Sequence, residues 1–279
     1  MTTNLSSSIN EQKFVFLDLE TSGKYPIDSE ICEMAAIKWE NGKFTDTFSS
    51  LIKTRQPMTQ TVINIHKITN EMLEEAPSIE HKISEFRDFI GDGICVAHHS
   101  PFDAGFLAYE FEKNKIELPT APILCTSLLA RERVIGVENH RLQTLVKYFH
   151  INGGVAHRAL DDAKACADVF FNCIKGFELE VSLEDVIDAQ KYNLLWSNFS
   201  MDSLRKKKHL ENLISAVEHK KQVNMSYSGG SKPGEFRVVK PISVVRNPEG
   251  DFLVADDLKS KKLKRYFVEK VTDCKIIQT

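Results

Sequence analysis

The sequence predicts an α/β fold: an open mixed sheet with helices on both faces, followed by a small all-β module. Three observations carry this expectation. Short apolar runs alternate with helical periodicities through the first part of the 279 residues. Beyond Leu210 the pattern turns into closely spaced short strands separated by turn residues. The charge changes sign at about the same point, with −11 on residues 1–203 and +8 on residues 204–279, for a net −3. A length near two times ~150 residues agrees with two domains.

The opening segment, MTTNLSSSINEQKF, has no basic stretch followed by an apolar one, so it is not a secretory signal and is expected to be a short disordered lead. Phe14–Leu19 is an apolar run closed by Thr21-Ser22-Gly23, hence a buried strand and a turn. Ile31–Glu40 and Lys43–Ile52 flank Asn41-Gly42, a hairpin signal. Ser78–Ile90 places Ile79, Ile83, Phe86 and Ile90 on one helical face. Ile94–Ala97 is a short buried strand, and Cys125 lies in another apolar run at a strand or its edge. Asp103–Asn114, Leu142–Phe149 and Ala159–Ile174 read as helices. The predicted first domain is 13–175, a helical linker follows over 176–207, and 208–279 is the second domain. In it one helix, Leu210–His219, precedes strand signals at QVNMSY, FRVVKPISVV, DFLVADD, RYFVEKV and CKII, a spacing that suggests a small barrel.

A hydrophobic share of 42% and a charged share of 27% are those of a soluble globular chain able to build its own core. No apolar run approaches the roughly 18 residues of a membrane span. None of the six cysteines forms a C-x-x-C pair, which argues against zinc. They are expected to be buried thiols in a reducing, cytoplasmic setting. The basic tail beside an acidic front half points to a polyanionic partner.

The chemistry lies in the acids. Asp18 and Glu20 stand two apart at a strand end, so both point to one face and repel unless a cation lies between them. Exposed acids in a turn would look the same. Asp103 opens a helix, and Asp162 begins another with His157 five residues before it. Each of these alone could be a plain first-turn acid favoured by the helix dipole.

As an ordered set, FLDLETSG, INIHKIT, VAHHSPFDAGFL and HRALDDA resemble the DEDDh branch of the DnaQ-like 3′→5′ exonucleases, on a ribonuclease H-like fold. The resemblance covers about residues 13–175. It implies that Asp18, Glu20, Asp103 and Asp162 bind two Mg²⁺ or Mn²⁺ ions and that His157 is the general base. Such ions, held by oxygen donors, polarise a phosphodiester and activate water. An imidazole with an ordinary pKa near 6.5 suits a base at neutral pH. The implied product is a nucleoside 5′-monophosphate. The resemblance also sets Thr21, Ser22, Gly23, His66 and Phe102 against the 3′-terminal nucleotide. His99 stands where the family usually has an asparagine that supports the site by hydrogen bonding, which bears on efficiency rather than on metal binding. His81, His98, His140, His150 and His219 are read as surface or satisfied core groups.

The tail, from SAVEHKKQVNMSY through KRYFVEKV, resembles the WYL domain, an SH3-like barrel. Its name-giving tripeptide is Asp251-Phe252-Leu253 here, and Lys264 and Lys270 stand where arginine is common. The resemblance implies nucleic-acid or nucleotide binding through Tyr227, Arg237, Lys264, Arg265 and Tyr266. The expected function is 3′→5′ exonucleolysis of single-stranded or frayed nucleic acid, DNA ahead of RNA. The rivals are an exoribonuclease and a non-catalytic nucleic-acid-binding regulator.

Overall fold

The computed structural model describes residues 4–175, 177 and 181–277. Its first sheet has five strands: β1 (Phe14–Thr21), β2 (Ile31–Glu40), β3 (Lys43–Leu51), β4 (Ile94–Ala97) and β5 (Ile123–Cys125). They lie in the order β3-β2-β1-β4-β5. The β1–β2–β3 pairs are antiparallel, whereas β1–β4 and β4–β5 are parallel. This mixed sheet, covered by helices on both faces, is the α/β ribonuclease H-like arrangement expected from the sequence.

Strand alternation sorts the core into two layers. From β1, Val15, Leu17 and Leu19 pack against α2 (Ile79–Ile90) and α3 (Pro101–Lys113). Phe14 and Phe16 point the other way, towards α4 (Thr126–Arg133), α5 (Leu142–Tyr148), α6 (Ala159–Ile174) and α7 (Leu183–Ala189). Phe170 of α6 meets the ring of Phe14 at 5.2 Å and that of Phe16 at 5.6 Å. Asp18 and Glu20 continue the Phe14–Phe16 parity, so they emerge on the α6 side at the carboxyl end of β1. All six cysteines are buried free thiols. Among the described residues no helix is long and apolar enough to cross a membrane.

Several expectations need correction. The lead is not disordered over its described part: Ile9–Glu11 form a 3₁₀ turn, the Ile9 amide bonds to Val181 O at 2.8 Å, and Ile9 is buried. Ile9 packs in the same apolar cluster as Leu183, Val186 and Ile187 of α7, which explains the docking. Residues 1–3 lie outside the described residues. The INIHKIT segment overlaps a helix that sequence periodicity does not reveal, α1 (Gln60–His66), ended by Lys67 in a left-handed conformation. The helix α4 is likewise additional to the expected elements.

Within the expected linker, residues 176 and 178–180 lie outside the described residues, and the remainder is helical and divided between two cores. From α8 (Trp196–Phe199), Trp196 and Phe199 pack into the first domain's core. From α9 (Met201–Arg205), Met201 packs into the tail's core.

The tail begins with α10 (Lys208–Glu218) and carries β6 (Val223–Tyr227), β7 (Phe236–Val245), β8 (Phe252–Asp257), β9 (Lys262–Phe267) and β10 (Val271–Ile276). All pairs are antiparallel, in the order β10-β6-β7-β8-β9. The expected closed barrel is not made among the described residues, because β9 and β10 do not pair. A 3₁₀ turn at Val268–Lys270 carries the chain from one sheet edge to the other, which also splits the RYFVEKV run between two elements.

Candidate metal centre

Three elements bring acids to the carboxyl end of β1. Asp18 and Glu20 come from the strand itself, where the pairing with β2 shifts between Glu20 and Thr21. Such irregularities re-aim side chains next to functional sites. Asp103 sits in the first turn of α3, buried, and its carboxylate accepts the Leu19 N–H at 3.2 Å, which ties the helix start to the strand. Asp162 is buried in the first turn of α6. Its two oxygens accept the His157 N–H at 2.9 Å and the Gln143 side-chain amide at 3.2 Å. The neighbouring Asp161 takes the Val155 N–H at 2.9 Å, so both first-turn acids hold the loop that presents His157.

His157 is exposed, with φ +61°. Ligand atoms of Glu20, His157 and Asp162 all lie within 4.8 Å of one another. The carboxylate donors of this group suit a hard divalent cation such as Mg²⁺ or Mn²⁺, whereas imidazole is a donor for borderline metals.

Electrostatics separate this cluster from ordinary surface acids. Burial, reinforced by Asp103 and Glu20, holds the Asp18 carboxyl well above the usual carboxylate range. Burial, with Asp162 and Glu33 adding repulsion, lifts Glu20 to about 8. Burial also raises Asp103 and Asp162. Among the described residues, neither the Asp18 nor the Glu20 carboxylate accepts a protein hydrogen bond. Crowded, desolvated and unpaired carboxylates call for positive charge, and the chain supplies little of it.

The nearby guanidinium of Arg158 is already committed. Glu33, on β2 directly opposite Glu20, is 2% exposed. It receives Arg158 Nη2 at 2.8 Å and the Ala159 N–H at 2.9 Å. This pair clamps the residue after His157 onto the sheet. Glu33, Arg158 and Gln143 escape sequence reasoning, although a lone acid within the apolar run ICEMAAI is a usable signal. Replacing Arg158 by Ala strands a buried carboxylate. We expect a loss of about 2–3 kcal/mol in urea unfolding, below the ~3–5 of a fully buried pair because Arg158 keeps solvent contact. An unchanged midpoint would show that the pair clamps nothing.

The remaining expected contacts fall into two groups. Thr21 is buried and its hydroxyl donates to Gly23 O at 2.6 Å, while Ser22 exchanges hydrogen bonds with Glu30 at 2.8 and 2.9 Å. A Cβ on Gly23 would meet the Ser29 side chain, so a larger residue there must displace Ser29. Phe102 is half-buried and its ring lies 4.9 Å from Phe106.

His66 is 1% exposed. Its Nδ1 accepts the Ile68 N–H at 3.0 Å, and Cys32 Sγ lies 3.8 Å from Nε2. Burial lowers its pKa, so the ring is neutral, with its proton on Nε2. His99 is exposed with φ +70°. Asparagine and histidine are both enriched in that left-handed region, so the exchange of one for the other suits the turn. His98 is a satisfied core group: its ring nitrogens lie 2.9 Å from Thr126 Oγ1 and 3.0 Å from His140 O.

The tail's five expected residues do not share one face. Tyr227 and Tyr266 are buried, 5.2 Å apart edge to face, with Arg237 stacked over both. Asp257 holds the Tyr266 hydroxyl at 3.1 Å and Lys264 Nζ at 2.6 Å. Arg265 leaves the strand on the opposite side and lies 4.7 Å from the Phe252 ring centroid. The expected aromatic platform is therefore inside the core. Alternation along β9 is the reason, since residues 264 and 266 share one face and 265 the other.

Comparison with known proteins bears on both halves. The family profile described as exonuclease (RNase_T) matches residues 15–170, and that of the WYL domain matches residues 208–276. The PolC-type DNA polymerase III of Halalkalibacterium halodurans is 37% identical over 165 residues, or 59% of this chain and 12% of that polymerase. The chain thus spans about an eighth of the length of the curated relatives it matches. Exonuclease X, solved with 5′-overhanging duplex DNA, superposes with a TM-score of 0.51 at 25% identity, covering 63% of this chain and 99% of that one. Escherichia coli exonuclease I with a dA16 oligonucleotide gives a TM-score of 0.53 at 17% identity, over 88% of this chain and 55% of that one, a likeness of fold alone.

Proposed function

Given that this chain belongs to the exonuclease family, we propose that it is a DEDDh 3′→5′ exonuclease releasing nucleoside 5′-monophosphates from single-stranded or frayed DNA. Asp18, Glu20, Asp103 and Asp162 hold two Mg²⁺ or Mn²⁺ ions. The observation that carries the reading is the meeting of Glu20, His157 and Asp162 within 4.8 Å, at the strand end shared by Asp18 and Asp103. When bound, the ions supply Lewis acidity towards the phosphodiester and its attacking water.

The chain's own groups do the rest. His157 accepts the proton of the attacking water, and its exposure leaves the ring free to pass that proton to solvent. Its backbone is fixed by Asp162, and the residue after it by Glu33, so the imidazole stays near the carboxylates. Thr21, Ser22 and Gly23 form the turn that meets the terminal nucleotide, with Phe102 beside it. His66, enclosed and held by the Ile68 N–H, is not counted among the groups that touch the nucleotide. DNA is favoured over RNA because the 37%-identical relative is a DNA polymerase and the 25%-identical neighbour was solved with DNA.

The test is a 5′-labelled oligonucleotide series of single-stranded DNA, duplex DNA and RNA with Mn²⁺ or Mg²⁺. Stepwise shortening from the 3′ end that EDTA blocks is the expected result. Retention of every oligonucleotide uncut would sink the enzyme in favour of a binding protein.

The tail grips the strand through its exposed cations. Replacing Lys259, Lys261 and Lys262 together by Ala is expected to weaken binding of long oligonucleotides and flatten the salt slope, by about one for each phosphate that is no longer neutralised. An unaltered slope would remove nucleic acid from the tail's role.

A further inference from the structure

The loop between β1 and β2 reaches out of the first domain and into the tail. Its two ends are locked together by Ser22 and Glu30, and a further backbone bond runs from Ser29 N–H to Tyr25 O at 3.0 Å. Its tip, Pro26-Ile27, is held from three sides. Ser243 on β7, with 0% exposure, donates its hydroxyl hydrogen to Pro26 O. The Ile27 side chain packs on the tail's hydrophobic core, beside residues of α10 and the second sheet. On its other side the buried Pro26 ring lies against α3, where a Cβ placed on Gly105 would be 3.4 Å from Pro26 Cγ. Gly105 is two residues beyond Asp103.

Ile27 adopts φ +73°. For a β-branched residue this is an unfavourable conformation that only surrounding structure can maintain. Glycine would be relaxed there, so the isoleucine is kept at a conformational cost, in exchange for an anchor in the tail.

We propose that the tail positions the nucleotide-contacting turn of the nuclease, with Ile27 and Ser243 as the positioning residues. This rests on the reading of Thr21–Gly23 as that turn. The tail's grip on Pro26-Ile27 fixes the loop, the Ser22–Glu30 and Gly23–Ser29 contacts carry that placement back to the turn, and Pro26 against Gly105 keeps it in register with Asp103. A strand gripped by the tail and a 3′ end held in the site are thereby linked through the protein as well as through the nucleic acid.

The 279-residue chain and a substrate too small to touch the tail, the p-nitrophenyl ester of thymidine 5′-phosphate, provide the test. Ile27→Gly is expected to raise KM about tenfold with kcat within about twofold, because the turn shifts while the metal ligands stay. Ser243→Ala is expected to raise KM about threefold through its missing hydrogen bond. Ile27→Val, which keeps both branching and anchor, should stay within about twofold of the parent.

Amide exchange supplies a readout independent of turnover. In the Gly and Ala variants, protection at Ser22 and Ser29 should fall while that of β4 and α6 is kept. A wild-type KM and unaltered exchange in both variants would overturn the proposal, as would a loss of kcat accompanied by loss of Mn²⁺ stabilisation. Should the parent protein hydrolyse no ester or oligonucleotide, the nuclease reading is what fails. The exchange data then still decide whether the tail holds the turn.

Discussion

Asp18→Asn will lower nuclease activity by at least about a thousandfold, yet the metal-free protein will melt higher than its parent, by about 2–5 °C at about pH 8. The two effects come from one cause. The Asp18 carboxyl is buried against Asp103 and Glu20, with no hydrogen-bond donor to compensate it among the described residues. Without cations it opposes folding, so its neutral isostere relieves the metal-free protein. With cations it is a ligand, and its loss removes a charge that the ions need. Gel assays with Mn²⁺ and thermal melts in EDTA measure the two quantities. A mutant that cuts at a near-parental rate, or that melts lower in EDTA, would contradict the assignment. An ordinary structural acid would change both quantities in the same downward direction.

The second large effect is the pH dependence of stability in EDTA. Glu20 rises from an ordinary 4.5 to about 8 in the folded chain, and Asp18, Asp103 and Asp162 also shift upward. Between those values the folded protein holds protons that the unfolded chain has already released. Stability from these groups is therefore complete below the unfolded pKa and lost as pH rises through the folded one. The melting temperature in EDTA should fall from about pH 5 to about pH 8. Mn²⁺ displaces those protons, so its stabilising shift should grow across the same interval. A flat EDTA profile, or a Mn²⁺ shift that shrinks with pH, would show that the acids do not act as one site.

The first domain is legible because its signals are local. Phe14–Leu19 can only be a buried strand, and its parity alone puts Asp18 and Glu20 together. The convergence of Asp103 and Asp162 on that strand end is tertiary, and it follows from the ordered resemblance rather than from spacing. Glu33 and Arg158 escape because their meeting spans β2 and the start of α6: the lone acid in ICEMAAI marks Glu33 as unusual but does not say which cation it meets. The helix α1 is hidden because its seven residues, QTVINIH, carry β-branched side chains and no capping acid, so burial of His66 rather than propensity holds it. Tyr227 and Tyr266 read as a binding face because an aromatic beside cations looks alike inside and outside a sheet. Only the sheet order β6-β7-β8-β9, which turns both rings to the core side beside Asp257, tells the two apart. The open edge of the second sheet is likewise invisible, since strand spacing says nothing of whether the first and last strands meet.

The segment around Ser200 has a practical implication for protein engineering. Glu112 of α3 takes the Ser200 hydroxyl and the Met201 N–H, and Arg246, just past β7, reaches the Ser200 carbonyl and lies 2.8 Å from Ser203 Oγ. Cutting the gene there to graft a foreign C-terminal cassette would leave a carboxylate and a guanidinium without their shared seam. A transplant designed to succeed would carry Trp196 to Arg205 with the nuclease half and import a β7 followed by arginine. Swaps that ignore that seam should express as insoluble chimeras.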